Sequence, residues 1–129
     1  MRVLVSGDRN WRDFKYIESI LDELHKNSLI SVIIEGEAKG ADSFARNWAI
    51  SRKVSLLSFP AKWNIYGKGA GPIRNQQMID EGHPDVVIAF HPDLESSVGT
   101  KDMVTRARKQ NIPVIVLRGR DNEDNYGEI

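Results

Sequence analysis

Four short stretches of this chain are apolar from end to end, a fifth is broken only by serines, and helical patterns separate them. The runs are Val3-Leu4-Val5, Val32-Ile33-Ile34, residues 54–59, residues 86–90 and residues 114–117. A strand with one face in water alternates apolar and polar residues. Continuous apolar runs need cover on both faces, which a parallel sheet flanked by helices provides. Between the runs, Ile17, Ile20, Leu21 and Leu24 recur at helical spacing behind Asp13, a residue type that caps helices. Ala41, Ala45, Trp48 and Ala49 form the next stripe, with Trp48 on the apolar face. A third helix runs from Pro72 to about Glu81, where the missing proline N–H costs nothing in the first turn. Met103, Val104 and Ala107 share one face of the last helix. This alternation predicts a three-layer α/β domain of the Rossmann-like, doubly wound kind. Its sheet has five mostly parallel strands in the order 3-2-1-4-5, with helices on both faces.

At 129 residues the chain fits one domain, read as residues 1–118, followed by an acidic tail over 119–129. Eighteen basic residues balance eighteen acidic ones. No global field then draws the molecule to DNA, RNA or an anionic membrane, so this balance argues against a nucleic-acid partner. Cysteine is absent, which removes disulfides, thiolate metal sites and cysteine nucleophiles together. His25, His83 and His91 stand on separate elements, away from any metal-ligand spacing, and no cofactor is expected. No apolar run has membrane-spanning length, and the chain reads as a cytoplasmic domain.

Strand ends in such sheets carry the function, because ligands sit beyond the carboxyl edge near the point where strand order reverses. Here they run into polar, glycine-bearing turns: Ser6-Gly7-Asp8-Arg9, Glu35 through Asp42, residues 72–75 and Ser97-Val98-Gly99-Thr100. Helix N-termini offer free amides and partial positive charge, and glycine lets the backbone come close to an anion. Neither the P-loop string nor the dinucleotide glycine fingerprint occurs. Gly36 and Gly40 bracket a tight crossing, Ala41 is small, and Lys39 reaches a phosphate as a point charge. Asp42 either caps amides or accepts ribose hydroxyls. Arg74 opposes the helix macrodipole in its first turn, so an anion or a carboxylate partner accounts for it better, with Asn75 beside it. Thr100 is a hydroxyl N-cap type, and Asp102 follows in the same turn. Trp63 and Tyr66 lie between glycines, placed either to stack on a base or to fold back on a core edge. Trp11, between Arg9 and Arg12, reads as a rim residue.

At these residues the chain resembles the YspA, or cpYpsA-related, branch of the SLOG superfamily. The similar strings are Val5-Ser6-Gly7-Asp8-Arg9, Gly36 through Asp42, Ala61-x-Trp63, residues 70–75 and Gly99-Thr100, in order from about Met1 to Leu117. The resemblance implies a domain that binds a nucleotide or nucleotide derivative, and relatives that pair as homodimers. Relatives in the superfamily include the lonely-guy phosphoribohydrolases. Arg74-Asn75-Gln76-Gln77-Met78 is similar to their Arg-Lys-x-x-Met motif, which places Arg74 on a catalytic arginine. Gly99-Thr100-Lys101-Asp102-Met103 resembles part of their second motif. The leading glycine pair is Ser96-Ser97 here, and the paired acids are Asp102 and Met103.

Two expectations follow. In the first, a small nucleotide such as ADP-ribose is bound by a sensor or processing domain through Ser6, Gly7, Arg9, Gly36, Lys39, Gly40, Ala41, Asp42, Trp63, Arg74, Asn75, Gly99 and Thr100. In the alternative, Arg74 and Asp102 cleave the N-glycosidic bond of a nucleoside monophosphate.

Overall fold

A computed structural model describes residues 1–120 of the chain. Most of the acidic tail expected over 119–129 therefore lies outside the described residues. The strands are β1 (Arg2–Gly7), β2 (Val32–Glu35), β3 (Ser55–Ser58), β4 (Val86–Phe90) and β5 (Val114–Leu117). The helices are α1 (Phe14–Ser28), α2 (Ala41–Ser51), α3 (Trp63–Tyr66), α4 (Ala70–Gly82) and α5 (Gly99–Lys109). The strands form one sheet in the order 3-2-1-4-5, as expected, and every pair is parallel.

Successive side chains of a strand point to opposite faces, and the two cores divide accordingly. Val3, Val5, Ile33, Ile88 and Phe90 pack against Ile17 and Leu21 of α1 and Ala45, Trp48 and Ala49 of α2. Leu4, Val32, Ile34 and Val87 face Met78 and Ile79 of α4 and Met103 and Ala107 of α5. Burying one such aliphatic side chain contributes about 1.5–3 kcal/mol. That makes the central strands β1, β2 and β4 the stable spine. The edge strands β3 and β5 are only partly covered, which is why Ser55 and Ser58 are tolerated in β3.

Capping fixes the helix starts. Asp13 Oδ1 accepts from Tyr16 N at 3.1 Å and opens α1. At α5 the capping bond belongs to Ser97, whose Oγ accepts from Thr100 N at 3.0 Å; the hydroxyl expected to do this was that of Thr100. Trp11 also departs from its expected place on the rim. It is 8% exposed, meets Phe90 edge-on at 5.6 Å, and donates from Nε1 to Asp13 O. Its flanking arginines marked the surface, whereas its ring seals the end of the α1 core.

The largest difference lies in the segment read as a loop over 61–71. Lys62 O accepts from Ile65 N and Tyr66 N, giving the single turn of α3, and Gly67 at φ +57° ends it. A 3-10 turn over Gly67–Gly69 then leads into α4, which begins two residues before Pro72. No residue of α3 is buried. No described helix is long and apolar enough to cross a membrane, and no group of three metal-ligating side chains occurs among the described residues.

Candidate functional site

The carboxyl ends of β1, β2 and β4 stand together, and a continuous series of contacts joins the turns that follow them. Gly40 lies against the backbone of Asp8 and Arg9: a Cβ there would sit 2.3 Å from Asp8 O. Ala41 N donates to that same oxygen at 3.2 Å, tying the β1 turn to the start of α2. Gly7 is wedged between Phe90 and Ala41, with no room for a side chain. Gly36 lies against Arg74, whose Nη1 donates to Gly36 O at 2.6 Å. Arg74 Nε donates to Asn75 Oδ1 at 3.0 Å. Asn75 Nδ2 donates to Gly99 O and to Asp102 Oδ2, at 3.2 and 3.0 Å. Asp102 also accepts from Arg106 Nε at 2.8 Å, and Arg106 Nη1 donates to Gln76 Oε1. One polar relay therefore stitches the β2 turn, α4 and α5 together at the rim.

Those bonds also decide which groups are free. The amides of Ala41 and Thr100 are engaged by Asp8 O and Ser97 Oγ. Asp42 Oδ2 accepts from Gly36 N and Ala38 N at 3.0 and 3.3 Å, so its carboxylate holds the β2 turn closed. Asp102 is held between Asn75 and Arg106, a poor station for a carboxylate that must approach a ribosyl cation. Asn75 and Thr100 are buried, Ser6 is half-buried within β1, and Arg9 and Lys39 are exposed on their turns.

Two buried acids lie beneath the rim. Glu35 is fully buried, takes the Ser58 hydroxyl and the Glu37 amide, and has its pKa raised by loss of solvent against the pull of those bonds. Burial likewise pushes Asp42 up to about 6, and the neighbouring Glu35 charge adds to it. The Gly36 and Ala38 amides and the Arg74 cation only partly offset this.

The open surface lies outboard of this rim, along α3 and α4. Trp63, Ile65, Tyr66 and Ile73 are 58, 68, 49 and 45% exposed. Trp63 and Tyr66 stand three apart and so share one side of the helix, with Lys62 and Lys68 on either flank. The Trp63 ring lies beside Gly71, where a Cβ would meet it at an ordinary contact distance of 3.4 Å. A groove of about 170 Å³ runs beside them, bounded by Pro60, Lys62, Tyr66, Ile73, Arg74 and Gln77. Of the residues expected to bind a ligand, Arg74 lines it, and so does Tyr66, one of the two aromatics expected either to stack on a base or to fold back on a core edge. Lys62 and Lys68 were missing from that set. Their signal is in the charge order: no acidic residue occurs from Ser43 to Ile79, while Arg46, Arg52, Lys53, Lys62, Lys68 and Arg74 do. The zero net charge averages this stretch away.

An all-parallel 3-2-1-4-5 sheet with its turns gathered at the carboxyl edge defines a Rossmann-like α/β domain. The chain belongs to the YspA, cpYpsA-related SLOG family, whose model matches residues 1–66. It is 38% identical over 120 residues to the gene 61 protein of Mycobacterium phage D29, covering 88% of this chain and 94% of that one. Among solved structures it is similar to DNA processing protein A (DprA) from Streptococcus pneumoniae, with a TM-score of 0.72 and 19% identity over 92% of the chain. It is also similar to DNA processing protein A from Helicobacter pylori, described for its single-stranded DNA binding mode, with a TM-score of 0.62 and 24% identity over 92% of the chain. The chain spans 50% and 65% of the length of those two proteins.

These neighbours correct the expected partner. A small nucleotide was expected and nucleic acid argued against, yet proteins sharing this fold process DNA, and one is described by how it holds a single strand. Zero net charge does not exclude a local basic field, which the acid-free stretch from Ser43 to Ile79 provides. The sensor reading and its glycosidase alternative both give way, the latter also because Asp102 is already committed to Arg106.

Proposed function

We propose that this chain is a single-stranded nucleic-acid-binding domain, with DNA as its ligand. The observation that carries the reading is the exposed Trp63–Tyr66 face of α3, set between Lys62 and Lys68 in a stretch without acids. Strand binding without sequence preference combines a basic track for phosphates with aromatic rings on which bases stack. Duplex DNA hides its ring faces within the stack, so this surface favours unpaired strands. The DNA-processing neighbours support the reading through their fold, and the absence of acids between residues 43 and 79 supports it through charge.

The test is fluorescence anisotropy with a labelled oligo-dT of about 20 nucleotides, longer than one such domain occupies. Binding is expected in low salt and should weaken as salt rises. Losing Lys62 and Lys68 together should reduce the slope of log K on log salt by about 1.4, at about 0.7 per phosphate contact on a single strand. Trp63→Ala should weaken binding by roughly 5- to 150-fold, the equivalent of 1–3 kcal/mol for one lost stack. No anisotropy change at protein concentrations on the order of 100 µM, where even non-specific binders respond, would sink the reading.

A further inference from the structure

The groove beside Arg74 differs from the open face of α3 in shape and in chemistry. Its volume of about 170 Å³ is well below that of sites that enclose whole cofactors, and suits one unstacked base. Tyr66, Pro60 and Ile73 give it apolar walls, which favour a flat ring over a hydrated phosphate. Arg74 stands at its polar end and is already fixed in place. Its Nε is bound to Asn75 Oδ1, and one Nη1 hydrogen to Gly36 O. Asn75 is itself buried and held by Gly99 O and Asp102. The outer edge of the guanidinium, with donors on both terminal nitrogens, is left unspent.

We infer that this groove takes one base of the bound strand and selects guanine over thymine and adenine, with Arg74 reading its O6 and N7. The inference rests on the single-strand reading above and adds a base preference to it. On the edge that carries O6 and N7, guanine alone among the four bases presents two adjacent acceptors to a planar pair of donors. Adenine offers a donor beside N7, cytosine a donor at N4, and thymine a single carbonyl on that edge. On that edge each of these leaves an Arg74 donor facing a donor or nothing; unpaired cytosine carries adjacent N3 and O2 acceptors on its other edge, so the selection is of guanine over thymine and adenine. A lysine would be a movable point charge and could not make this distinction. Lys62, at the groove wall, is placed for the phosphate that follows the inserted base.

The experiment compares oligo-dT with the same oligonucleotide carrying one central dG, by anisotropy with the unmodified protein. A single dG should tighten binding about tenfold, within the range of one bidentate base contact. Replacing that dG by 7-deazaguanine, which lacks the N7 acceptor, should return the affinity to the oligo-dT level. Arg74→Lys should bring the dG-to-dT ratio near one; the 7-deazaguanine arm needs no altered protein and so stands even if this variant folds poorly. Equal affinity for the two strands, with both bound, overturns the guanine pocket and leaves the strand-binding reading intact. Undiminished affinity for 7-deazaguanine overturns the Arg74 readout. Failure to bind either strand overturns both.

Discussion

Replacing Gly40 with alanine is expected to destabilise the fold by about 3–5 kcal/mol, combining forbidden backbone geometry with a steric clash. Gly40 sits at φ +71° and ψ −123°, a conformation that residues with a Cβ rarely adopt. The new methyl would also lie 2.3 Å from Asp8 O and 2.6 Å from the carbonyl carbon and oxygen of Arg9. These are backbone atoms at the end of β1, in the middle of the sheet, and have no rotamer to retreat into. Relief would pull the β1 turn away from α2 and break the Ala41 N to Asp8 O bond. Since domains of this size are stable by only about 5–15 kcal/mol, the variant should lose a large share of its stability. Urea denaturation, followed by tryptophan fluorescence, reads this as a fall in midpoint. Alanine at Gly99, where a Cβ meets nothing within 4 Å, is the control and should change far less. A Gly40→Ala midpoint within error of the unmodified protein would contradict the close approach.

Asp42→Asn is expected to act in the opposite direction, stabilising the protein at neutral pH. The folded state raises this carboxyl from its usual 3.8 to about 6. Below about pH 3.8 the group is protonated whether folded or unfolded, and its contribution to stability is complete. As pH rises to about 6, the unfolded chain ionises freely while the folded one resists, so that stability is lost. The difference amounts to about 3 kcal/mol at 1.36 kcal/mol per pH unit. Both amide bonds to Asp42 end on a single oxygen, so the asparagine Oδ1 can accept both without carrying charge. Urea midpoints should therefore separate the variant from the parent at pH 7.5 and bring them together near pH 4. Glu35, raised in the same direction by its own burial, adds a slope of the same sign that the variant leaves in place or softens. A variant less stable than the parent at pH 7.5 would show that the buried charge is compensated.

Architecture was the most legible part of the sequence. Apolar runs such as Val86–Phe90 leave no face for water, and that requirement sets a two-sided parallel sheet with little regard to detail. The site was read less well, for three physical reasons. Glycine at a strand end was taken to admit a ligand, but at Gly7, Gly36 and Gly40 it admits the chain's own backbone or Arg74. Which neighbour fills that space depends on tertiary approach, which local sequence does not encode. Asp42 and Thr100 were placed correctly in first helical turns, yet the partners of their polar groups came from the loops before them. The basic stretch was visible in the residue order and was lost to averaging over the whole chain. Trp63 and Tyr66 were equally open to stacking or to core packing, and their exposure decides for the surface.

The aromatic turn of α3 contributes nothing to either core, since none of its residues is buried. Under the proposed strand-binding reading, its grip on a strand and the folding of the domain are nearly separate quantities. Substitutions at Trp63, Ile65 or Tyr66 can retune affinity without endangering the scaffold beneath. On that reading, a lineage carrying this domain is free to exchange one class of strand for another at little thermodynamic risk.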